Sequence, residues 1–181
     1  MTPPERRDLP EVHASDLPRP PVVFEDSAGD EVAIHRYGEG PVDEEFEALV
    51  GMYVDFSPEH RAQGIPPIGR DRVEDWLEML LDGVDVVAWS GDEPVGHATL
   101  VPADDDTYEL AIFVHQDHQG RGIGGRLIRA LLGAAHEAGV TRIWLTVERW
   151  NDAAVGLYQD VGFDYLDPGS FEMEMGLRLV D

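Results

Sequence analysis

The stretch HQGRGIGGRLIRALL, from His118 to Leu132, joins a glycine-rich turn to an apolar helix and constrains the fold more than any other segment. The preceding segment YELAIFV alternates as a strand does, and after the turn Leu127, Leu131 and Ala135 recur at helical spacing. Glycines at such a junction let the backbone approach a ligand, and the amides of a helix N-terminus favour an anion. The sequence therefore predicts a phosphate-binding turn.

The type of phosphate loop follows from its spacing. A Walker loop needs a lysine, and this chain has none. A dinucleotide-binding fingerprint fits the glycines that begin at Gly120, and Glu148 ends the next strand where a ribose-binding acid could lie. However, the five residues HQDHQ separate the strand from Gly120, and too little chain follows Glu148 for a second βαβ half. The spacing Gln119-x-x-Gly122-x-Gly124 is the favoured alternative.

The composition excludes several classes of function. With 37 acidic and 13 basic residues the net charge is −24, which disfavours nucleic acid and anionic membranes as partners. Because the acids are spread along the chain, they indicate adaptation to the salt-rich cytoplasm of a halophile, and attraction of a cationic substrate is the alternative. The absence of cysteine excludes a thiolate zinc site and a catalytic thiol. No apolar run reaches membrane-span length, so a cytoplasmic protein is expected.

The apolar periodicity predicts one α/β domain with a mixed sheet. Residues 1–20 are rich in proline and are expected to form a flexible N-terminal tail before a domain at 21–181. From there the predicted order of elements is β-β-α-α-β-β-β-α-β-α-β-β. His97, on a hairpin strand of this order, is interpreted as a structural residue, and Asp104 to Asp106 as a solvated turn.

Two motifs in this order, ELAIFVHQDHQGRGIGGRLI and VERWNDAAVGLYQDVGF, resemble the GNAT superfamily of acyl-CoA-dependent N-acyltransferases. The resemblance covers about residues 31–180 and is most specific over 108–165. It implies a twisted, mostly antiparallel sheet of about seven strands with four helices, splayed in the middle for the coenzyme. The implied activity is acetyl transfer from acetyl-CoA to a primary amine by direct attack in a ternary complex. A non-catalytic acyl-CoA-binding regulatory module of the same fold is the alternative.

The resemblance also implies a set of coenzyme contacts. The pyrophosphate would lie on the backbone amides of the glycine turn, and the pantetheine arm would enter the splayed sheet as a pseudo-strand. The residues assigned to the coenzyme on this basis are Ile112, Phe113, Val114, Gln119, Gly120, Arg121, Gly122, Ile123, Gly124, Gly125, Arg126, Asn151 and Tyr158.

Three residues are the catalytic candidates. The amide of Val114 would stabilise the oxyanion that develops from the thioester carbonyl. Tyr158, seven residues after Asn151, is the candidate proton donor for the departing thiolate, although it also continues an apolar stripe and could be a core aromatic residue. Glu109 is the leading general base, with an ordinary strand residue as the equal alternative. Thr146 stands where some relatives have an acid, so a base at that position is not expected.

The partners are less defined by the sequence. His115-x-x-His118 has metal-like spacing but no third ligand, so no metal is expected. Residues 53–70 and the final hairpin are predicted to select the acceptor, a small-molecule amine or a protein lysine or N-terminus. The sequence leaves a homodimer open.

Overall fold

The computed structural model describes residues 9–60, 65–104, 106–166 and 172–181. These residues form one nine-stranded sheet, four α-helices and three short 3-10 turns. The strands are β1 (Glu11–His13), β2 (Val22–Glu25), β3 (Glu31–Arg36), β4 (Val84–Ser90), β5 (Glu93–Pro102), β6 (Thr107–Val114), β7 (Arg142–Val147), β8 (Asp164–Tyr165) and β9 (Met173–Val180). The helices are α1 (Val42–Val54), α2 (Arg70–Leu80), α3 (Ile123–Glu137) and α4 (Asp152–Val161), and the 3-10 turns are Ala14–Asp16, Pro58–His60 and Gln116–His118.

The sheet is mixed and mostly antiparallel, as predicted. Its strand order is β1-β9-β7-β6-β5-β4-β3-β2, with β8 added beside β9. Only two pairs of strands among those described are parallel, β1 with β9 and β6 with β7. From β2 onward the order of elements is the predicted one. The very short strands β1 and β8 bring the number of strands to nine, above the expected seven or so. None of the described helices is long and apolar enough to cross a bilayer.

The N-terminal segment departs from the prediction of a tail without regular structure. Glu11–His13 pairs in parallel with the end of β9, and the backbone N–H of Arg178 donates to the carbonyl of Pro10 at 2.8 Å. The carbonyl oxygen of Pro18 lies so close to Gly133 of α3 that a Cβ there would approach it to 2.0 Å. Residues 11–16 thus contain short regular structure that the sequence did not indicate, because a three-residue edge strand is defined by its distant partner and not by a local pattern. Residues 1–8 lie outside the described part of the chain.

The core has two layers, one on each face of the sheet. Helices α3 and α4 cover one face. Helices α1 and α2 cover the other face, where they pack on side chains of β4 and β6. The predicted apolar stripe of α3 is confirmed, since each of its members is fully buried. The burial of each large aliphatic side chain among them stabilises the fold by roughly 1.5–3 kcal/mol. These members are Leu127, Ile128, Leu131, Leu132 and Ala135.

A buried polar network ties α1 to the sheet. His97 on β5 is fully buried, with its Nδ1 2.5 Å from the Tyr53 hydroxyl of α1 and its Nε2 2.6 Å from Asp85 Oδ1 of β4. Burial raises the pKa of the Tyr53 hydroxyl well above its usual value, and the charge of Asp85 raises it further. Tyr53 is therefore protonated, and its hydroxyl and the Asp85 carboxylate engage the two ring nitrogens of His97. This arrangement agrees with the structural role expected for His97.

The folded state is expected to depend on salt. Acidic residues outnumber basic ones by 24, and exposed ion pairs such as Arg70 with Glu74 offset few of them. The Debye length falls from roughly 30 Å at 0.01 M salt to roughly 3 Å at 1 M, so self-repulsion should be largely screened in molar KCl. Thermal melts across this range should show a steep rise of Tm that levels off at high salt. A flat Tm would contradict this expectation and favour attraction of a cationic substrate.

Candidate active site

The centre of the sheet opens between β6 and β7, as the predicted splay requires. The parallel pairing of these strands covers only three pairs, from Thr107↔Arg142 to Glu109↔Trp144. Beyond that point β6 continues to Val114 and β7 continues to Val147, but the two strands no longer pair with each other. The opening is a cleft of about 240 Å³. Its lining consists of Ile65, Glu109, Leu110, Ala111, Ile112, Phe113, Thr146, Val147, Glu148, Asn151, Ala154, Tyr158 and Glu172.

The hydrogen-bond phase of β6 decides which backbone groups face this cleft. His115 donates its N–H to the carbonyl of Val95 at 2.9 Å, so the antiparallel ladder with β5 uses every second residue of β6, including Phe113 opposite His97. The N–H and C=O groups of the intervening residues, Ile112 and Val114, therefore point toward β7. Of the three predicted contacts on β6, two have backbone groups directed into the opening, while the backbone groups of Phe113 pair with β5.

The glycine turn lies between the end of β6 and the N-terminus of α3. Gly120 and Gly122 have φ values of 71° and 83°, which side-chain-bearing residues rarely adopt, and a Cβ at either would meet no atom within 4 Å. The space in front of them is thus open, and α3 begins at Ile123 with its first backbone N–H groups free of helical partners. The helix dipole adds a positive field at this end. The turn can therefore accept an anion through its backbone.

The next two glycines lie against α4. A Cβ at Gly124 would lie 3.3 Å from Leu157 Cδ2 of α4, and one at Gly125 would lie 3.4 Å from Leu157 Cδ1. These two glycines therefore allow α3 and α4 to pack closely beside the cleft. Gln119 lies at the start of the turn, where its Nε2 donates to the carbonyl of Val114 at 3.0 Å.

Both arginines of the turn are held by the β2–β3 hairpin. Arg121 Nη1 lies 3.0 Å from Asp30 Oδ2 and 3.4 Å from Asp26 Oδ2. The guanidinium of Arg126 lies 5.0 Å from the centre of the Phe24 ring, within the range of a cation–π contact. The sequence placed both cations near the turn, but nothing in its local pattern indicated these partners.

Tyr158 and Asn151 approach the cleft from α4. Tyr158 packs edge-on against Phe163 at 5.9 Å and belongs to the buried core, yet it also lines the cleft, so the two roles that the sequence left open are compatible. Burial raises the pKa of the Tyr158 hydroxyl to about 12, which keeps the phenol protonated at neutral pH. Asn151 is the N-cap of α4, and its Oδ1 accepts from the backbone N–H of Ala154 at 3.2 Å.

Glu109 lies on the opposite face of the opening from Tyr158. Because side chains alternate along a strand, Glu109 points to the same face of the sheet as Phe113, which packs against α1 and α2. Leu110 points to the other face and packs under α3. Burial raises the pKa of the Glu109 carboxyl above its usual value, and the nearby Glu174 carboxylate raises it further. Glu174 pairs with Thr146 across β7 and β9. A carboxylate in this setting has increased proton affinity and can accept a proton from a bound amine.

The predicted acceptor segments reach the same cleft from two sides. Ile65, in the connection between α1 and α2, and Glu172, before β9, both contribute to the lining. Residues 61–64 of the first segment and 167–171 before the second lie outside the described residues. The sequence indicated no role for Glu172, and it suggested only a ribose contact for Glu148.

The histidine pair beyond β6 forms no metal site. His115 Nε2 lies 2.8 Å from Asp55 Oδ2, and its Nδ1 accepts from the backbone N–H of Asp117 at 3.2 Å. The two imidazole rings, of His115 and His118, are 6.3 Å apart. Within the part of the chain that the structure describes, no group of three histidine, aspartate or glutamate residues is arranged to hold a metal ion. His115 instead joins Asp55, the residue after α1, to the loop after β6.

Sequence comparisons match most of the region that contains this cleft. The model of the acetyltransferase (GNAT) family matches residues 49–163. L-amino acid N-acyltransferase MnaT of Escherichia coli is 37% identical over 57 residues, which are 32% of this chain and 33% of that protein. N-acetyltransferase 8B of Homo sapiens is 34% identical over 101 residues, 52% of this chain and 44% of the relative. The chain thus spans less than half the length of either curated relative.

Solved structures share the fold over most of the chain. The GNAT domain of S. lividans PAT superposes with a TM-score of 0.71 at 21% identity, over 87% of this chain and 96% of that one. The Salmonella typhimurium protein yncA, solved with its cofactor acetyl-CoA, gives a TM-score of 0.64 at 21% identity, over 83% of this chain and 95% of that one. At such identities the likeness establishes the fold.

Proposed function

Because this chain belongs to the acetyltransferase (GNAT) family, we propose that it transfers an acetyl group from acetyl-CoA to a primary amine by direct attack in a ternary complex. The observation that carries the proposal is the opening between β6 and β7, together with the glycine turn that follows β6 at the N-terminus of α3. Named relatives that acylate amino groups support the same class of reaction.

The chain offers matching backbone groups for two parts of the coenzyme, the pyrophosphate and the pantetheine arm. The open backbone at Gly120 and Gly122, with the first N–H groups of α3, fits a pyrophosphate. The inward-facing backbone groups of Ile112 and Val114 fit the amides of a pantetheine arm, which would continue the sheet where β7 diverges. Because Oδ1 of Asn151 caps α4, its amide nitrogen is the group that would contact this arm.

Bond formation requires a neutral amine, a polarised thioester carbonyl and a proton for the thiolate. The amine nitrogen forms a bond to the carbonyl carbon, the bond from that carbon to sulfur breaks, and the proton lost by nitrogen is replaced at sulfur by one from the enzyme or solvent. The Val114 N–H, directed into the opening, would stabilise the carbonyl oxygen as it gains charge. The two proton transfers then fall to residues on opposite faces of the sheet.

Tyr158 is the proposed proton donor. With a pKa of about 12, its hydroxyl is protonated across the physiological range, so the donor is present at every working pH. The same burial that weakens this acid also raises the proton affinity of a thiolate formed beside it, because desolvation disfavours both anions. Tyr158 therefore needs only to lie within reach of the sulfur.

Glu109 is the proposed proton acceptor on the side from which the amine enters. Its carboxyl is partly desolvated, and its raised pKa brings its proton affinity closer to that of an amine. The acceptor is proposed to be a small-molecule amine or a protein lysine or N-terminus that enters beside Ile65 and Glu172.

An amine panel tests the proposal directly. The purified chain should release free thiol from acetyl-CoA in molar KCl when one class of amine is supplied, with amino acids, polyamines, lysine peptides and N-terminal peptides as the arms. Acetylated product, identified by mass, should form in proportion to the thiol. CoA binding without turnover on any arm would instead favour the non-catalytic acyl-CoA-binding module.

Replacing Glu109 by glutamine should separate catalysis from stability. We expect turnover to fall about tenfold or more, since water in the half-open cleft can take over part of the proton transfer. Because the folded-state pKa is raised, this carboxyl stabilises the fold fully only below its unfolded pKa and loses that contribution as pH rises through the folded pKa. At neutral pH the glutamine variant should therefore melt no earlier than the parent.

Glu174→Gln is the matched variant, since it removes the neighbouring charge and leaves the base in place. It should lower the pKa of Glu109 and move the acidic limb of kcat/KM to lower pH. Unchanged turnover in Glu109→Gln, or an acidic limb that does not move in Glu174→Gln, would remove Glu109 from the mechanism.

A further inference from the structure

The turn between β2 and β3 contacts the glycine turn through both backbone and side chain. The backbone N–H of Ser27 donates to the carbonyl oxygen of Arg121 at 3.2 Å. Arg121 Nη1 reaches the carboxylates of Asp26 and Asp30 at 3.4 Å and 3.0 Å. One residue of the glycine turn is therefore held at its main chain and at its guanidinium by the same hairpin, more than ninety residues earlier in the chain.

Asp26 is the organising residue of this contact. Its side chain is inaccessible to solvent, and its Oδ1 accepts from the backbone N–H groups of Ala28 at 2.9 Å and Asp30 at 3.0 Å, while Oδ2 faces Arg121. These hydrogen bonds, that of Asp30 first, hold the pKa of the Asp26 carboxyl below its usual value. A buried carboxylate with this set of partners is a built contact and not one of the many exposed acids of the surface.

The position of Arg121 makes the contact relevant to the turn. Arg121 stands between Gly120 and Gly122, whose φ values of 71° and 83° set the directions of the neighbouring amides. A shift of Arg121 would rotate both peptide planes, because the backbone has only two soft torsions per residue. A second contact from the same hairpin, Phe24 under Arg126, holds the first turn of α3.

We propose that Asp26 is a positioning residue for coenzyme binding: through Arg121 it holds the glycine turn in the conformation in which its amides face the pyrophosphate. The proposal rests on the proposed function. Arg121, assigned to the coenzyme by the sequence, acts in this account through the backbone that it anchors, and its charge is balanced by Asp26 and Asp30. The β2–β3 hairpin, at the far edge of the sheet from the cleft, is thereby part of the coenzyme site.

The sign of one substitution distinguishes this proposal from simple electrostatics. Asp26→Asn removes a negative charge close to a site for a polyanion and releases Arg121, so Coulomb attraction alone predicts tighter binding of CoA. Positioning predicts weaker binding, because the turn loses the anchor that orients its amides. Glu25→Gln is the control, since it removes an equal charge from an exposed position on the same hairpin, and among the described residues the ion-pair partners of Arg121 are Asp26 and Asp30.

The experiment is calorimetric titration of CoA into the parent, Asp26→Asn, Arg121→Gln, the double variant and Glu25→Gln, all in molar KCl. We expect Asp26→Asn to weaken binding about tenfold, Glu25→Gln to change it less than about twofold, and the double variant to bind no worse than Arg121→Gln alone, since coupled residues are not additive. In steady-state assays the KM for acetyl-CoA should rise in Asp26→Asn while the KM for the amine stays unchanged, a split that general destabilisation would not produce.

The outcomes separate this proposal from the proposed function. Failure of the parent to bind CoA would overturn the proposed function. A parent that binds CoA together with an Asp26→Asn variant that is folded and binds as tightly or more tightly would overturn the positioning role alone. If Asp26→Asn does not fold, Arg121→Lys replaces it, because lysine keeps the charge but cannot bridge two carboxylates as the guanidinium does. Unchanged CoA affinity in Arg121→Lys would likewise overturn the positioning role.

Discussion

Tyr158→Phe is expected to lower turnover about a hundredfold or more while leaving acetyl-CoA binding nearly unchanged, because a positioned general acid typically contributes at least this much. Phenylalanine keeps the ring, so the packing against Phe163 and the surrounding core survives. Only the hydroxyl, protonated at neutral pH because burial raises the pKa of Tyr158 to about 12, is removed from the cleft. Steady-state kinetics at saturating acetyl-CoA measure the effect.

Tyr108→Phe is the matched control. Tyr108 is partly buried against the same core, on β6, but does not line the cleft. Its variant should keep the parent rate and show at most the small stability change of one altered hydroxyl. If Tyr158→Phe stays within about threefold of the parent rate, Tyr158 is a core aromatic residue only, and solvent or the departing ammonium protonates the thiolate.

Gly122→Glu is expected to weaken CoA binding by about a hundredfold or more, since the new carboxylate would project into the open space proposed for the pyrophosphate. The substitution also strains the backbone, because φ at Gly122 is 83°, and a left-handed conformation costs a side-chain-bearing residue roughly 1–2 kcal/mol. Binding is measured by calorimetric titration with CoA, and thermal melts report the strain separately.

Gly139→Glu is the matched control, since it should strain the backbone as Gly122→Glu does but lies away from the proposed phosphate site. Gly139 also has a φ of 83° with no atom within 4 Å of an added Cβ, but it follows the opposite end of α3. Both variants should lose similar stability, and only Gly122→Glu should lose affinity. Equal CoA affinity in the two variants would show that the turn is not the phosphate site. Gly124→Glu is a poorer test, because a side chain there also meets Leu157 of α4.

The glycines illustrate how one motif combines two physical requirements. At Gly120 and Gly122 the chain needs left-handed backbone and free space, whereas at Gly124 and Gly125 it needs two helices in close contact. The sequence shows four similar residues and cannot separate these requirements, because φ and the neighbour of a missing Cβ are both tertiary facts. The turn stays a proposed phosphate site, and the physical reason for a glycine differs from one position to the next.

The sequence by itself determined the features that depend on neighbouring residues. The alternation of β6 and the apolar stripe of α3 are local periods, so they located the strand, the glycine turn and the helix, and with them Glu109 and Gly122. Tyr158, on α4, became a candidate only through the resemblance to the GNAT superfamily.

Only the tertiary structure decided the features that depend on a distant partner. Strand β1 exists because β9 offers its edge, and the sequence separation of more than 160 residues leaves no local mark on either strand. The register of β6 with β5 decides which of its residues pair with β5, so the backbone groups of Ile112 and Val114, and not those of Phe113, point toward β7. The contact of Asp26 with Arg121 likewise depends on a partner distant in the sequence. A local pattern records which face of an element is apolar, whereas the choice of partner depends on how the elements pack together.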